Sequence, residues 1–117
     1  MVISWENIGD SDKYVHEILA LEAADIPVEV INAGKWFSDE IDLSTIMVDQ
    51  NMLENHDKDP VHIKRRDDFI KSFNKKVEIK PLIVLGERLI LVDGYARFRA
   101  LKKIGVKMAK VLRQKIK

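Results

Sequence analysis

PLIVLGERLILVDGYARFRALKKIG, residues 81–105, carries the clearest structural pattern in the chain. Leu82, Ile83, Val84 and Leu85 form one continuous apolar run, and Leu89, Ile90, Leu91 and Val92 form a second. Runs of this length suit strands buried on both faces. Gly86-Glu87, followed by Arg88, lies between them, and glycine at the first central position of a two-residue loop is read as the signal of a type II′ hairpin. After Val92 the apolar spacing becomes helical: Tyr95, Phe98, Leu101 and Ile104 fall close to one face, with Gly105 placed to end the helix. A β-hairpin running into a helix that opens at Asp93-Gly94 is the expectation.

Glycine at a strand-to-helix turn lets the backbone approach a ligand, and the unpaired amides of the first helical turn attract anions. Arg97 and Arg99 add charge there; residues two apart point to different sides of a helix, and Arg97 is the one expected to face the site. An ordinary corner with solvated arginines accounts for the same spacing. Asp93, one residue before the glycine, is expected to cap the helix.

The segment VDGYARFRALKKIGVKMAKVL, residues 92–112, resembles the second conserved box of the ParB/sulfiredoxin-like superfamily, a strand running into glycine, a polar cluster with arginine, and a helix ending in an Ile-Gly pair. In partition ParB proteins this box resembles G-E-R-R-x-R-A and grips the triphosphate of CTP. Gly94, Arg97, Arg99 and Ala100 fit it, while Tyr95 and Ala96 replace the glutamate and first arginine, which weakens the case for CTP hydrolysis. Sulfiredoxins carry G-C-H-R here, and a chain without cysteine cannot repair sulfinic acid in that way. The free-serine kinase branch resembles V-D-G-H-H-R; Val92, Asp93, Gly94 and Arg97 match it. KRRDDFIKSF, residues 64–73, is similar to the arginine-plus-helix segment upstream, and Asp59 falls where the kinase branch keeps a carboxylate. The resemblance covers residues 44 to 113.

Length and composition agree with one globular domain: 117 residues, 46% hydrophobic, 33% charged, three prolines and five glycines. No apolar segment reaches the roughly twenty residues that span a bilayer, and the absence of cysteine suits a reducing compartment. A cytoplasmic protein with no membrane partner is expected. The net charge of +1 conceals an asymmetry: residues 1 to 57 hold 2 basic and 13 acidic residues, a balance of −11, and residues 58 to 117 hold 18 basic and 6 acidic, a balance of +12. Such a split suggests either an anionic partner such as DNA for residues 58 to 117 or an internal acidic cover.

Ser11 can cap a helix running to about Ala24, ended by Pro27. Residues 28 to 31 read as a strand, and Trp36-Phe37 as core or partner contacts more than as a stacking platform. Leu43 to Val48 favour a strand, and residues 49 to 60 a polar connection. His56, Asp57, Asp59 and His62 match no ligand spacing with a known mechanism, so no metal site is expected. Asp59 can cap a helix with Pro60 in its first position. Lys64, Arg65 and Arg66 then oppose the dipole of that helix and call for an anion or for the nearby carboxylates Asp67 and Asp68. Met108 to Leu112 return as a strand, and RQKIK trails away.

These readings define an α+β fold, a ParB/sulfiredoxin-like small mixed sheet with packed helices, in which residues 1–43 are an N-terminal extension with an extra helix and residues 44–117 are the core. The expected function is a nucleotide- or phosphate-binding module associated with DNA, too short to hold a helix-turn-helix reader as well. Gly94, Tyr95, Arg97, Arg99, Lys64, Arg65 and Arg66 would bind a nucleoside di- or triphosphate with Mg2+, and the arrangement leaves a homodimer open. The alternatives are a small phosphotransferase or nuclease with Asp59 or Asp93 as catalytic base, or a non-catalytic interaction protein that keeps the fold. Tyr95 and Ala96 stand where relatives keep their chemically active residues, so binding ranks above catalysis.

Overall fold

The structure, a computed structural model, describes residues 4–22, 26–74 and 78–115. It is an α+β fold built from α1 (Ser11–Glu22), α2 (Val28–Ile31), β1 (Trp36–Asp42), α3 (Gln50–Lys58), α4 (Pro60–Asn74), β2 (Leu82–Leu85), β3 (Ile90–Asp93), α5 (Tyr95–Lys103) and β4 (Met108–Gln114), with one 3₁₀ turn at Leu43–Thr45. The four strands form one mixed sheet in the order β1-β4-β2-β3. β4 runs antiparallel to β1 and parallel to β2, and β2 runs antiparallel to β3.

Both faces of the sheet are covered, which explains the continuous apolar runs. Leu82 and Val84 of β2 pack with Leu53, Leu91, Phe98 and Leu101 on the face that carries α3, α4 and α5. Ile83 points the other way, into a second cluster with Val15 and Leu19 of α1, Ile31, Trp36 and Leu112. Alternate side chains of one strand thus enter opposite cores, and neither set tolerates a polar residue. The helix α1 packs on the face opposite α4 and α5, so its acidic residues do not lie across theirs. The segment before it is also tied down, since Glu6 N donates to Ile79 O at 2.8 Å and Ile79 N to Ser4 O at 2.9 Å.

Four expectations are corrected. The hairpin loop is four residues, 86–89, with Leu89 at φ 56°, and β3 starts at Ile90 rather than Leu89. The backbone of Met47 lies against that strand, accepting from Leu91 N at 2.8 Å and donating to Leu89 O at 3.0 Å. Residues 28–31 are helical instead of extended. Their β-branched preference is overridden by tertiary contacts: Gln114 Nε2 donates to the carbonyls of Val30, Ile31 and Gly34 at 3.0–3.1 Å, and Trp36 Nε1 donates to Ile31 O at 3.0 Å. The expected strand over Leu43 to Val48 is replaced by the 3₁₀ turn, because Asp42 Oδ1 accepts from Ser44 N at 2.8 Å and closes the chain on itself. The polar connection over 49 to 60 contains α3, capped by Asp49 Oδ1, which accepts from Asn51 N at 2.9 Å and Met52 N at 3.2 Å.

The strand β1 was hidden in the sequence. Trp36 is 4% exposed and Phe37 40% exposed, since neighbours on a strand face opposite sides. β1 belongs to residues 1–43 and pairs along its whole length with β4, so this segment and the core share one sheet. Gln114 also belongs to β4, which reaches into the expected fraying tail. Ala24, expected near the end of the first helix, lies outside the described residues.

Candidate functional site

The corner after β3 forms as the glycine spacing implied. Gly94 is the N-cap of α5 with φ 99°, a conformation that side chains avoid, and a Cβ there would meet Leu82 Cδ2 at 2.6 Å. The first intrahelical bond runs from Phe98 N to Gly94 O at 2.8 Å, leaving the amides of Tyr95, Ala96 and Arg97 without a helical acceptor. The cap is glycine alone, which corrects the expected capping role of Asp93: no side chain among the described residues caps α5. Asp93 instead accepts through Oδ2 from Arg97 Nη2 at 2.7 Å, and Arg97 Nη1 donates to the carbonyls of Lys80 at 2.8 Å and Pro81 at 2.9 Å. Burial pushes the Tyr14 hydroxyl above its ordinary pKa, opposed by the Arg97 guanidinium beside it. At the other end, Gly105 N donates to Lys102 O and Val106 N to Leu101 O, the paired bonds that close a helix on a left-handed glycine.

The N-terminus of α5 opens into a cleft of about 530 Å³, lined by Gly94, Tyr95, Ala96 and Arg97 together with Asp93, His56, His62, Arg65, Met52 and Phe69. His56 lies in the last turn of α3 and His62 in the first turn of α4; the bend at Asp59 stacks their rings at 3.8 Å with an interplanar angle of 9°. Tyr95 meets His56 edge-on at 5.7 Å and donates its hydroxyl to Leu91 O at 3.0 Å. Burial lowers the pKa of His56, and the neighbouring His62 and Arg99 add to the effect against the pull of Asp59 and Asp57. The shift favours the neutral imidazole of His56. Burial and the nearby Asp49 carboxylate raise the Tyr95 pKa, which keeps that hydroxyl neutral too.

The residues singled out in the sequence divide into two sets. Gly94, Tyr95, Arg97, Arg65 and Asp93 come together around the cleft. Arg99 points elsewhere: it is 5% exposed, donates through Nε to Asp57 Oδ1 at 3.0 Å, and reaches His62 O at 3.3 Å. Arg66 pairs with Asp67 at 3.2 Å and Asp57 at 3.6 Å, which supplies the local carboxylates that its place near a helix start requires. Lys64 is exposed and does not line the cleft. Asp59 accepts from Val61 N at 2.9 Å as a helix cap and faces His62 Nε2 at 3.7 Å. The histidine stack escaped sequence reasoning because α3 did; two histidines six apart meet only if the chain bends between two helices. The cap at Asp49 was the available signal.

Among the described residues no group of three or more His, Asp or Glu is placed to hold a metal ion. No described helix is long and apolar enough to cross a membrane. The chain matches no protein-family model and no curated protein sequence. Solved structures are similar. The C2221 form of a Pnob8-like ParB-N domain superposes with a TM-score of 0.53 at 25% identity, over 71% of this chain and 31% of that one. A pNOB8-like ParB N-domain gives a TM-score of 0.52 at 26% identity, over 68% of this chain and 27% of that one. The chain thus spans about a third or less of the length of these structures, and within that span it has a ParB-like N-domain fold.

Proposed function

We propose that this chain is a nucleotide- or phosphate-binding ParB-like module working in association with DNA, and that the cleft at the start of α5 is its binding site. The observation that carries the reading is the uncapped first turn of α5: amides of three successive residues open on a cleft that Arg65 also lines. Oriented amides at a helix start favour a phosphate group, and Arg65 adds a fixed positive charge at the same wall. The stacked histidines and Tyr95 offer apolar ring surface to the rest of a nucleotide. Mg2+ would arrive on the phosphates. Association with DNA is supported by the likeness to ParB N-domains and by the +12 balance of residues 58 to 117.

A binding role is favoured over a phosphotransferase or nuclease. A general base needs a carboxylate free to take a proton. Asp93 is held by Arg97, and Asp59 caps α4. The test is a thermal-shift panel of ATP, ADP, CTP and GTP with magnesium, repeated on Arg65→Ala. A nucleotide at 100 times its dissociation constant stabilises by about 2.7 kcal/mol, and the shift should shrink in the variant. No shift with any nucleotide overturns the reading.

A further inference from the structure

We propose that the outer edge of β1 docks an extended, basic segment of a partner protein, which adds to the sheet as a fifth strand beside β1. The sheet order leaves two edges, at β1 and β3. The β3 edge has four residues, and Met47 already bonds to both sides of its start. The β1 edge is seven residues long, keeps an unbroken register against β4 and contains no proline; the charges that guard it are all acidic, which deters every strand but a basic one.

The backbone of β1 shows where a partner would pair. Lys115 N donates to Lys35 O at 2.8 Å and Leu43 N to Lys107 O at 2.7 Å, so odd-numbered residues bond to β4 and the even ones face out. Of the outward groups, Trp36 N–H is taken by Asp12 at 2.9 Å, Glu40 N–H by Asp39 at 2.9 Å, and Asp42 O by Thr45 at 2.7 Å. The amide and carbonyl of Ser38 and the carbonyl of Glu40 have no partner among the described residues, and they form the centre of the proposed ladder.

Charge selects the occupant. β1 presents Asp39, Glu40 and Asp42, and the strand already paired with it shows what suits them: Lys110 stands opposite Glu40, and Arg113 pairs with Asp39 at 3.2 Å. A second basic strand on the free side repeats that arrangement. Pairing β1 with β1 of a second copy sets carboxylates against carboxylates, and a phosphate backbone meets the same repulsion. Main-chain bonds would supply affinity, and the half-exposed Phe37 would take an apolar residue of the incoming strand.

The test titrates the full chain with a short peptide of alternating lysine and valine and follows backbone amides by NMR. Shifts centred on residues 36–42 are expected. A peptide of the same charge, N-methylated at alternate residues so that it cannot join a ladder, should not bind. Glu40→Lys, an exposed change that leaves the core intact, should lose roughly tenfold in affinity, as the loss of one charge-assisted contact predicts. Equal binding of the methylated peptide, unchanged affinity in the variant, shifts elsewhere, or self-association through β1 each overturns the proposal.

Discussion

Arg97 and Arg99 stand two residues apart on α5, both in ion pairs, and the two pairs differ in reach and burial. Arg97 closes a local loop with Asp93, four residues away, and the side chains are 11% and 12% exposed. Arg99 spans 42 residues to Asp57; its side chain is 5% exposed while that of Asp57 is 58% exposed. In the first pair each charge depends on the other, because both are largely withdrawn from water. In the second only the arginine does. Their tasks differ accordingly: Asp93–Arg97 fixes the corner at the mouth of the cleft to the carbonyls before β2, whereas Asp57–Arg99 ties α3 to α5 and so places His56 in the cleft wall.

The largest effect is expected of Asp93→Ala. It leaves the Arg97 guanidinium buried with only carbonyl acceptors, and urea unfolding should show a loss of about 3 kcal/mol. A loss below about 1 kcal/mol would mean that water screens this pair as it does a surface one. Asp57→Ala should cost less, about 2 kcal/mol, since Arg99 keeps the His62 carbonyl and Asp57 itself was largely solvated. If it costs more than Asp93→Ala, the order of dependence is reversed. Asp59→Ala removes only the cap of α4 and should cost about 1 kcal/mol, measured in the same way.

The smallest effect is that of pH. His56 has a lowered pKa in the folded chain, so the unfolded chain binds more protons between that value and the ordinary histidine value of about 6.5. The stability contributed by the neutral ring is full above about pH 6.5 and declines as pH falls through that window. Asp57 favours the charged ring, so unfolding followed across pH in Asp57→Ala should show a steeper acid loss than in the parent. A flat profile in both would detach the histidine stack from the Arg99 tether.

Features that depend on near neighbours were legible in the sequence. Gly94 sits at the strand-to-helix turn because the period changes there, Asp59-Pro60 opens α4, and Gly105 ends α5; each signal is carried by a few adjacent residues. The apolar run of β2 announced a strand covered on both faces, whereas that of β3, at the sheet edge, leaves Ile90 45% exposed; five residues of the expected site do meet at one cleft. Tertiary structure decided what local preference left open or contradicted. WFSDEID has no local reason to be a strand until β4 lies beside it with Lys110 and Arg113 opposite its carboxylates. Val28–Ile31 bends into a helix because Gln114, more than eighty residues away, satisfies its carbonyls. The fates of the two arginines were settled in the same way. Helical spacing says that Arg97 and Arg99 diverge, but whether a guanidinium meets a ligand or a carboxylate depends on which distant chain is brought against it, and pairing over such distances leaves no mark in a short window of sequence.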